Sequence, residues 1–200
     1  MRRQPSLRAA VLLAAGAGSR FEGPSHKLLA DVHGQPVWKH ALNAVLASEI
    51  ELVVVVTGAG QLPDLEPIDP RVTSVHNPAW ASGQASSLRV GIETAAKLGA
   101  DSVVIGLADQ PGVTPDAWDR IARSRSPLAV ALYGEHRGHP VLITSDYWAE
   151  LPHAGDLGAR DILSKHVDSV EAIPCNGSPD DIDTEKDLQR WLRRSPTNSP

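Results

Sequence analysis

The chain has 200 residues, 42% of them hydrophobic and 22% charged, with a formal net charge of -5. That balance suits one globular domain with a sizeable core and excludes the broad basic face that nucleic-acid binding needs, leaving room only for a local basic pocket. A single cysteine, Cys175, excludes an intrachain disulfide and fits a reducing, cytoplasmic setting, and no apolar run approaches the ~20 residues of a membrane-spanning helix.

Residues 9–14 form the first apolar run of strand length, inside the stretch AAVLLAAGAGSR. With arginines before it and small residues after it, this stretch has the outline of a secretory signal peptide. It also has the outline of a buried strand running into a glycine loop that holds phosphates. The apolar core is short for a signal, and Arg20 and Lys27 follow at once, so strand plus loop is the expectation. Only residues 1–6 look dispensable.

Further along, helical spacing over 37–47 precedes a Val-rich strand at 52–57, and PDLEPIDP (63–70) is a loop. A helix is expected over 86–98 and a strand at 103–107. The next helix spans 115–123, with Thr114 as N-cap and Pro115 at the first helical position. Strands at 128–132 and 141–144 flank the polar loop EHRGHP, and a helix over 158–166 precedes a strand at 170–173. The last helix, 184–194, opens on Thr184 with Glu185 and Asp187 in its first turn, where the helix dipole favours acids. The tail 195–200 is expected to be disordered. Five of the eight aromatic residues are Trp, and Trp38, Trp118, Trp148 and Trp191 are expected to pack helices.

Most of the strand-length runs are apolar throughout, which fits a sheet covered on both faces. Alternating strands and helices predict an α/β fold with a mainly parallel sheet and helices on both faces, as one domain over 1–194.

Ligands in such sheets collect at the carboxyl ends of strands. Gly16, Ala17, Gly18, Ser19 and Arg20 follow the first run, with Lys27 a short turn later. Glycines let backbone N–H groups approach an anion, and Arg and Lys supply charge, so the combination suits a triphosphate. A Walker loop is absent, and Phe21 stands where a dinucleotide fingerprint needs its third glycine. The bland alternative is a flexible turn with solvated charges.

Asp109 lies directly after VVIGLA (103–108), well placed to hold a magnesium ion through oxygen; a turn-forming Asp is the alternative. Asp183, with Asp181 beside it, is a second metal candidate unless Asp183-Thr184 merely caps the last helix. Two separated acids with a phosphate loop suit metal-assisted phosphoryl chemistry. No Gly-x-Ser-x-Gly elbow and no His-Glu-x-x-His is present. His26, His33, His40, His76, His153 and His166 are expected at the surface or in packing.

LAAGAGSR with Lys27-Leu28-Leu29 and Gly34-Gln35-Pro36 resembles the opening of the sugar-nucleotide and molybdenum-cofactor nucleotidyltransferases. NPAWASGQASSL (77–88), LADQP, RGHPV, GDLGAR (155–160) and DIDTEKDL (181–188) follow in the order of the molybdenum-cofactor cytidylyltransferase branch. The resemblance spans residues 10 to about 192. It implies a Rossmann-like nucleotidyltransferase fold and magnesium- or manganese-dependent transfer of a nucleoside monophosphate from an NTP to a phosphorylated acceptor such as molybdopterin, releasing pyrophosphate. Carried over by position, Leu13, Ala14, Ala15, Gly16, Gly18, Ser19 and Arg20 would hold the nucleotide with Gly83 and Ser87. Lys27 and Arg20 would neutralise phosphates, and Asp109 and Asp183 would bind the metal, making Lys27, Asp109 and Arg20 the catalytic set. Arg137, Gly138, His139, Asp156 and Arg160 would face the acceptor.

The resemblance departs at Phe21-Glu22-Gly23, where the family has Met-Gly after the loop arginine. Ala14-Ala15 favours CTP over GTP, since the guanylyl branch tends to Leu-Ala-Gly-Gly. Trp80 is expected to brace its loop rather than stack on the base. A molybdoenzyme or an insertion factor is the implied protein partner, with neither nucleic acid nor membrane. The alternatives are an NAD(P)H-dependent oxidoreductase on the same fold and a non-catalytic cofactor-binding or insertion protein.

Overall fold

The computed structural model describes residues 7–23, 25–63, 65 and 69–193. The expectations for 1–6 and for the tail 195–200 lie outside these residues, as does part of the 63–70 loop. Five helices carry the sequence signals read above: α1 (Val37–Leu46), α2 (Gln84–Lys97), α3 (Pro115–Ala122), α4 (Ala159–Lys165) and α5 (Glu185–Leu192). Thr114 caps α3 by accepting from the Ala117 N–H, and Thr184 with Asp187 forms a capping box on α5.

The main sheet has seven strands in the order β5 (Val72–His76), β4 (Leu52–Thr57), β1 (Arg8–Ala14), β6 (Ser102–Leu107), β8 (His136–Thr144), β7 (Leu128–Tyr133), β9 (Val170–Pro174). All neighbours run parallel except β8, which pairs antiparallel with both β6 and β7. A separate two-stranded pair, β2 (Asp31–Val32) with β3 (Gln35–Pro36), turns the chain into α1. This is an α/β fold with a mostly parallel sheet, as the alternation of elements required.

Alternation along the strands divides the core in two. Ala10, Leu12, Val53, Val55, Val104 and Leu142 face a layer holding Trp38 of α1 and Trp118 of α3, exposed by only 1% and 2%. Val11, Leu13, Val54, Val56, Val103 and Ile143 face Leu88 and Ile92 of α2 and Ile162 of α4. Both faces of β1 are therefore buried, which is why its sequence is apolar at every position after Arg8. Trp148 lies in a short 3-10 helix, Ser145–Glu150, and donates its indole N–H to the Ile143 carbonyl. Among the described residues no helix is long and apolar enough to cross a membrane.

Besides the unforeseen β2–β3 pair, two elements of the main sheet differ from the sequence reading. β5 (VTSVH) mixes Thr, Ser and His into a half-exposed edge strand, so it lacks the uniform apolar run that marked the others. EHRGHP is not a free loop, because β8 begins at His136. Val141 pairs with Val130 and Gly138 with Ala131, so His139 and Pro140 bulge out of the ladder. Bulges re-aim side chains, and His139 lines a small cleft with Leu13, Leu157 and Arg160.

Candidate active site

After β1 the chain pairs first with β4 on one side and later with β6 on the other. The sheet order reverses there, and the crevice above such a reversal is the usual ligand site of open α/β sheets. A cavity of about 330 Å³ opens at this place, the size of small-molecule sites. Leu13, Ala14, Ala15, Gly16 and Ala17 form its floor, and Trp80, Gly83, Gln84 and Ser87 form a wall. Lys27 and Asp109 stand at its charged end.

That end is a four-residue ionic cluster. The Lys27 ammonium donates to Asp109 Oδ2 at 2.5 Å and to Asp183 Oδ1 at 2.7 Å, and the Arg20 guanidinium lies 2.9 Å from Asp183 Oδ2. Burial alone would depress Lys27, but the two carboxylates more than offset it and hold its pKa above the ordinary lysine value. Lys27 is therefore a fixed cation, while Arg20 is largely in solvent. Thr184 takes the cap of α5, which frees Asp183 to face Lys27. The alternative in which Asp183 serves only as a cap does not describe its contacts.

The remaining donor pattern fits a hard divalent cation. Two carboxylates converge on one point, and Asp109 Oδ1 is buried with no hydrogen-bond partner. No cluster of three or more His, Cys, Asp or Glu side chains suited to a metal occurs among the described residues. A cation held here would complete its shell with water and substrate oxygens.

The supporting contacts come from residues the sequence reading left aside. Gln110, only 4% exposed, donates to the Pro179 carbonyl at 2.9 Å and to Asp181 Oδ1 at 2.7 Å. Together with the Ile182 N–H to the Asp109 carbonyl, it locks the two acid-bearing loops together. Burial first, then the charge of Asp109, pushes Asp181 up to about 6. His26, expected at the surface or in packing, accepts from the Leu28 N–H through Nδ1 and meets the Gly16 carbonyl with Nε2 at 2.9 Å. It thereby ties the phosphate-type loop to the turn carrying Lys27. Asn77 is buried at the end of β5, donating to Ser86 Oγ and Ser87 Oγ and accepting from the Ala79 N–H, each at 2.9 Å.

Two glycines permit the close approaches that shape the wall. A Cβ on Gly58 would lie 2.5 Å from the Ala15 carbonyl oxygen and 2.7 Å from Trp80 Cβ. Trp80 is therefore packed closely against Gly58, and it also lines the cavity. Gly83 has φ +108° and ψ 171°, a region open essentially to glycine alone. A Cβ there would meet the Gly155 carbonyl at 2.5 Å. This contact joins the 80–84 turn to the GDLGAR loop, sealed by Gly155 N–H to the Ser82 carbonyl and Ala85 N–H to the Gly155 carbonyl.

The residues assigned to the acceptor divide into three places. His139 and Arg160 line a small cleft with Leu157, and Leu13 and Gln84 are shared between it and the main cavity. Burial first, then the Arg160 charge, lowers the His139 imidazole to about 4, so it is neutral at pH 7. Asp156 lines the main cavity beside Gly83 instead. Gly138 packs on Pro179, and Arg137 is exposed on the β7–β8 hairpin; neither lines the two cavities. Ser19 is exposed and does not line the main cavity, while Gly18 backs onto the stem of Lys27.

Known proteins resemble this chain in sequence and in fold. Over 197 residues the chain is 29% identical to the purine catabolism protein PucB of Bacillus subtilis, covering 92% of this chain and 95% of that protein. It is 30% identical over 176 residues to the bifunctional protein GlmU of Streptomyces avermitilis, covering 82% of this chain but only 34% of that protein. The chain thus spans about a third of the length of that relative. Among solved structures, a nucleotidyl transferase from Methanothermobacter (Mth528) superposes with TM-score 0.78 at 25% identity, covering 94% of this chain and 99% of its own. Rv0371c of Mycobacterium tuberculosis has the same fold, with TM-score 0.77 at 24% identity and the same coverage; a manganese complex of it has TM-score 0.75 at 23% identity, covering 95% and 100%. The model of the MobA-like NTP transferase domain matches residues 10–170, from the first strand through the acid-bearing end of β6 to the start of β9, and the chain belongs to that family of nucleotidyltransferases.

Proposed function

We propose that the protein transfers a nucleoside monophosphate, CMP in preference to GMP, from a magnesium-bound NTP to a phosphorylated acceptor of the molybdopterin type. The observation that carries this reading is the convergence of Lys27, Arg20, Asp109 and Asp183 at one end of a cavity floored by the glycine loop. Asp109 and Asp183 would hold the magnesium ion, which supplies charge neutralisation at the phosphates; Rv0371c, with the same fold, forms a manganese complex.

The backbone of residues 15–17 and the start of α2 at Gly83-Gln84 line the cavity and would orient the nucleotide there. Arg20 and Lys27 withdraw charge from the triphosphate. The acceptor's phosphate oxygen attacks the α-phosphorus in line, forming one P–O bond as the bond to the leaving pyrophosphate breaks. Nothing in this step needs a protein nucleophile; position and charge carry it. His139 and Arg160 in the adjoining cleft would grip the acceptor, Arg160 by charge and neutral His139 as a hydrogen-bonding partner. Ala14 and Ala15 on the cavity floor are the residues that favour cytidine.

The test is pyrophosphate release with CTP, GTP and ATP in the presence of molybdopterin, with Asp109→Ala beside the wild type. The expected result is CTP-dependent turnover that Asp109→Ala abolishes while its melting curve stays cooperative. Undiminished magnesium-dependent transfer by Asp109→Ala would sink the reading. Stabilisation by NADPH alone, independent of metal, would favour an oxidoreductase instead.

A further inference from the structure

The ionic cluster holds a contradiction that the transfer reading leaves unsolved. Lys27 is assigned to the nucleotide's phosphates, yet its ammonium sits between the two carboxylates assigned to the metal. The place where one cation would meet Asp109 Oδ2 and Asp183 Oδ1 together is already filled by Nζ. The second oxygen of Asp183 is taken by Arg20.

The charges match as well. Arg20 and Lys27 bring two positive charges to two carboxylates, and one divalent cation brings the same two. Only Asp109 and Asp183 contact Lys27, Asp181 is engaged by Gln110, and no group of three or more metal-binding side chains occurs among the described residues, so the protein alone offers a cation few ligands. Meanwhile the phosphates of a nucleotide on the glycine loop offer both basic side chains a stronger anion.

We propose that Arg20 and Lys27 are placeholders for the metal: in the free protein they neutralise Asp109 and Asp183, and nucleotide and divalent cation enter together as the two side chains move to the phosphates. Metal affinity is then low without nucleotide and coupled to it, and the coupling is reciprocal. The exchange also keeps two partly buried carboxylates from facing each other uncompensated at any stage. This inference rests on the assignment of Asp109 and Asp183 to the metal.

The experiment is Mn2+ titration of the nucleotide-free protein, read by the loss of the free-ion EPR signal. Lys27→Met removes the charge but keeps the length, and should tighten Mn2+ binding by about tenfold or more, since a charge-assisted contact no longer competes. Arg20→Met, losing an exposed contact to Asp183 alone, should tighten it less. Asp109→Asn should remove the site in every background. A second readout uses the wild type: acetic anhydride labelling of Lys27, mapped by mass spectrometry, should rise when Mn2+ saturates the site.

If Lys27→Met and wild type bind Mn2+ equally, and Asp109→Asn abolishes both, the metal assignment stands and the exchange is wrong. If neither protein binds Mn2+, the metal assignment itself fails. If Lys27→Met does not fold, the labelling decides: unchanged Lys27 reactivity with Mn2+ bound at an Asp109-dependent site overturns the proposal.

Discussion

Replacing Gly83 by alanine probes the joint between the two loops that wall the cavity. The residue sits at φ +108° and ψ 171°, and forcing a non-glycine residue into that region costs about 1–3 kcal/mol. The new Cβ would also lie 2.5 Å from both the carbonyl carbon and the oxygen of Gly155. That carbonyl cannot retreat freely, because its oxygen accepts from the Ala85 N–H at 2.9 Å and the Gly155 N–H donates to Ser82 at 2.8 Å. Losing those two hydrogen bonds adds about 1 kcal/mol each. The sum is roughly 3–5 kcal/mol, and in a chain of this size it lowers Tm by about 10 °C. Relief of the clash instead by opening the joint would draw Gln84 and Asp156 away from the cavity and weaken nucleotide binding. Calorimetric melting together with titration of CTP and Mg2+ detects either outcome. Gly134→Ala is the control: it has φ +61° but no atom within 4 Å of its added Cβ, so its cost is only about 1 kcal/mol. A Gly83→Ala protein with unaltered Tm and unaltered nucleotide affinity would refute the reasoning.

Asn77→Ala removes three hydrogen bonds inside the same wall and leaves the Ala79 N–H unpaired, so urea unfolding should show a loss of about 2–3 kcal/mol; a change under 0.5 kcal/mol would contradict the network. His139, lowered to about 4 by burial and Arg160, binds its proton less readily when folded than when unfolded. Its contribution to stability is therefore complete above pH 6.5 and is lost as pH falls toward 4, by up to about 3 kcal/mol. His139→Gln should lack this part of the pH dependence, and coincident stability-pH curves would show that the imidazole is solvated. His26→Ala should raise KM for the nucleotide with little change in Tm, because it frees the Gly16 carbonyl and the Leu28 N–H at the edge of the fold rather than in its core; an unchanged KM measured by pyrophosphate release would remove His26 from the site.

The parts of this protein visible in one dimension are those with a local physical cause. β1, β4 and β6 are apolar at nearly every position because both faces of the sheet are covered, and that leaves a mark needing no partner to be read. The caps at Thr114 and Thr184 act within three residues of themselves. Arg20, Lys27 and Asp109 stood out because they follow apolar strands and a glycine turn, where ligands of such sheets collect, and Asp183 because it comes after the last strand. Their linkage by three contacts under 3 Å, spanning as many as 163 positions, is a product of the sheet order, in which β1 and β6 become neighbours and the loop before α5 folds back across their ends. Edge strand β5 and the antiparallel direction of β8 left no comparable trace, since mixed polarity and strand direction are set by neighbours. The same holds for His26, Asn77 and Gln110. Each is an unremarkable polar residue until tertiary contacts bury or align it, and then its hydrogen bonds decide where the loops of the site stand.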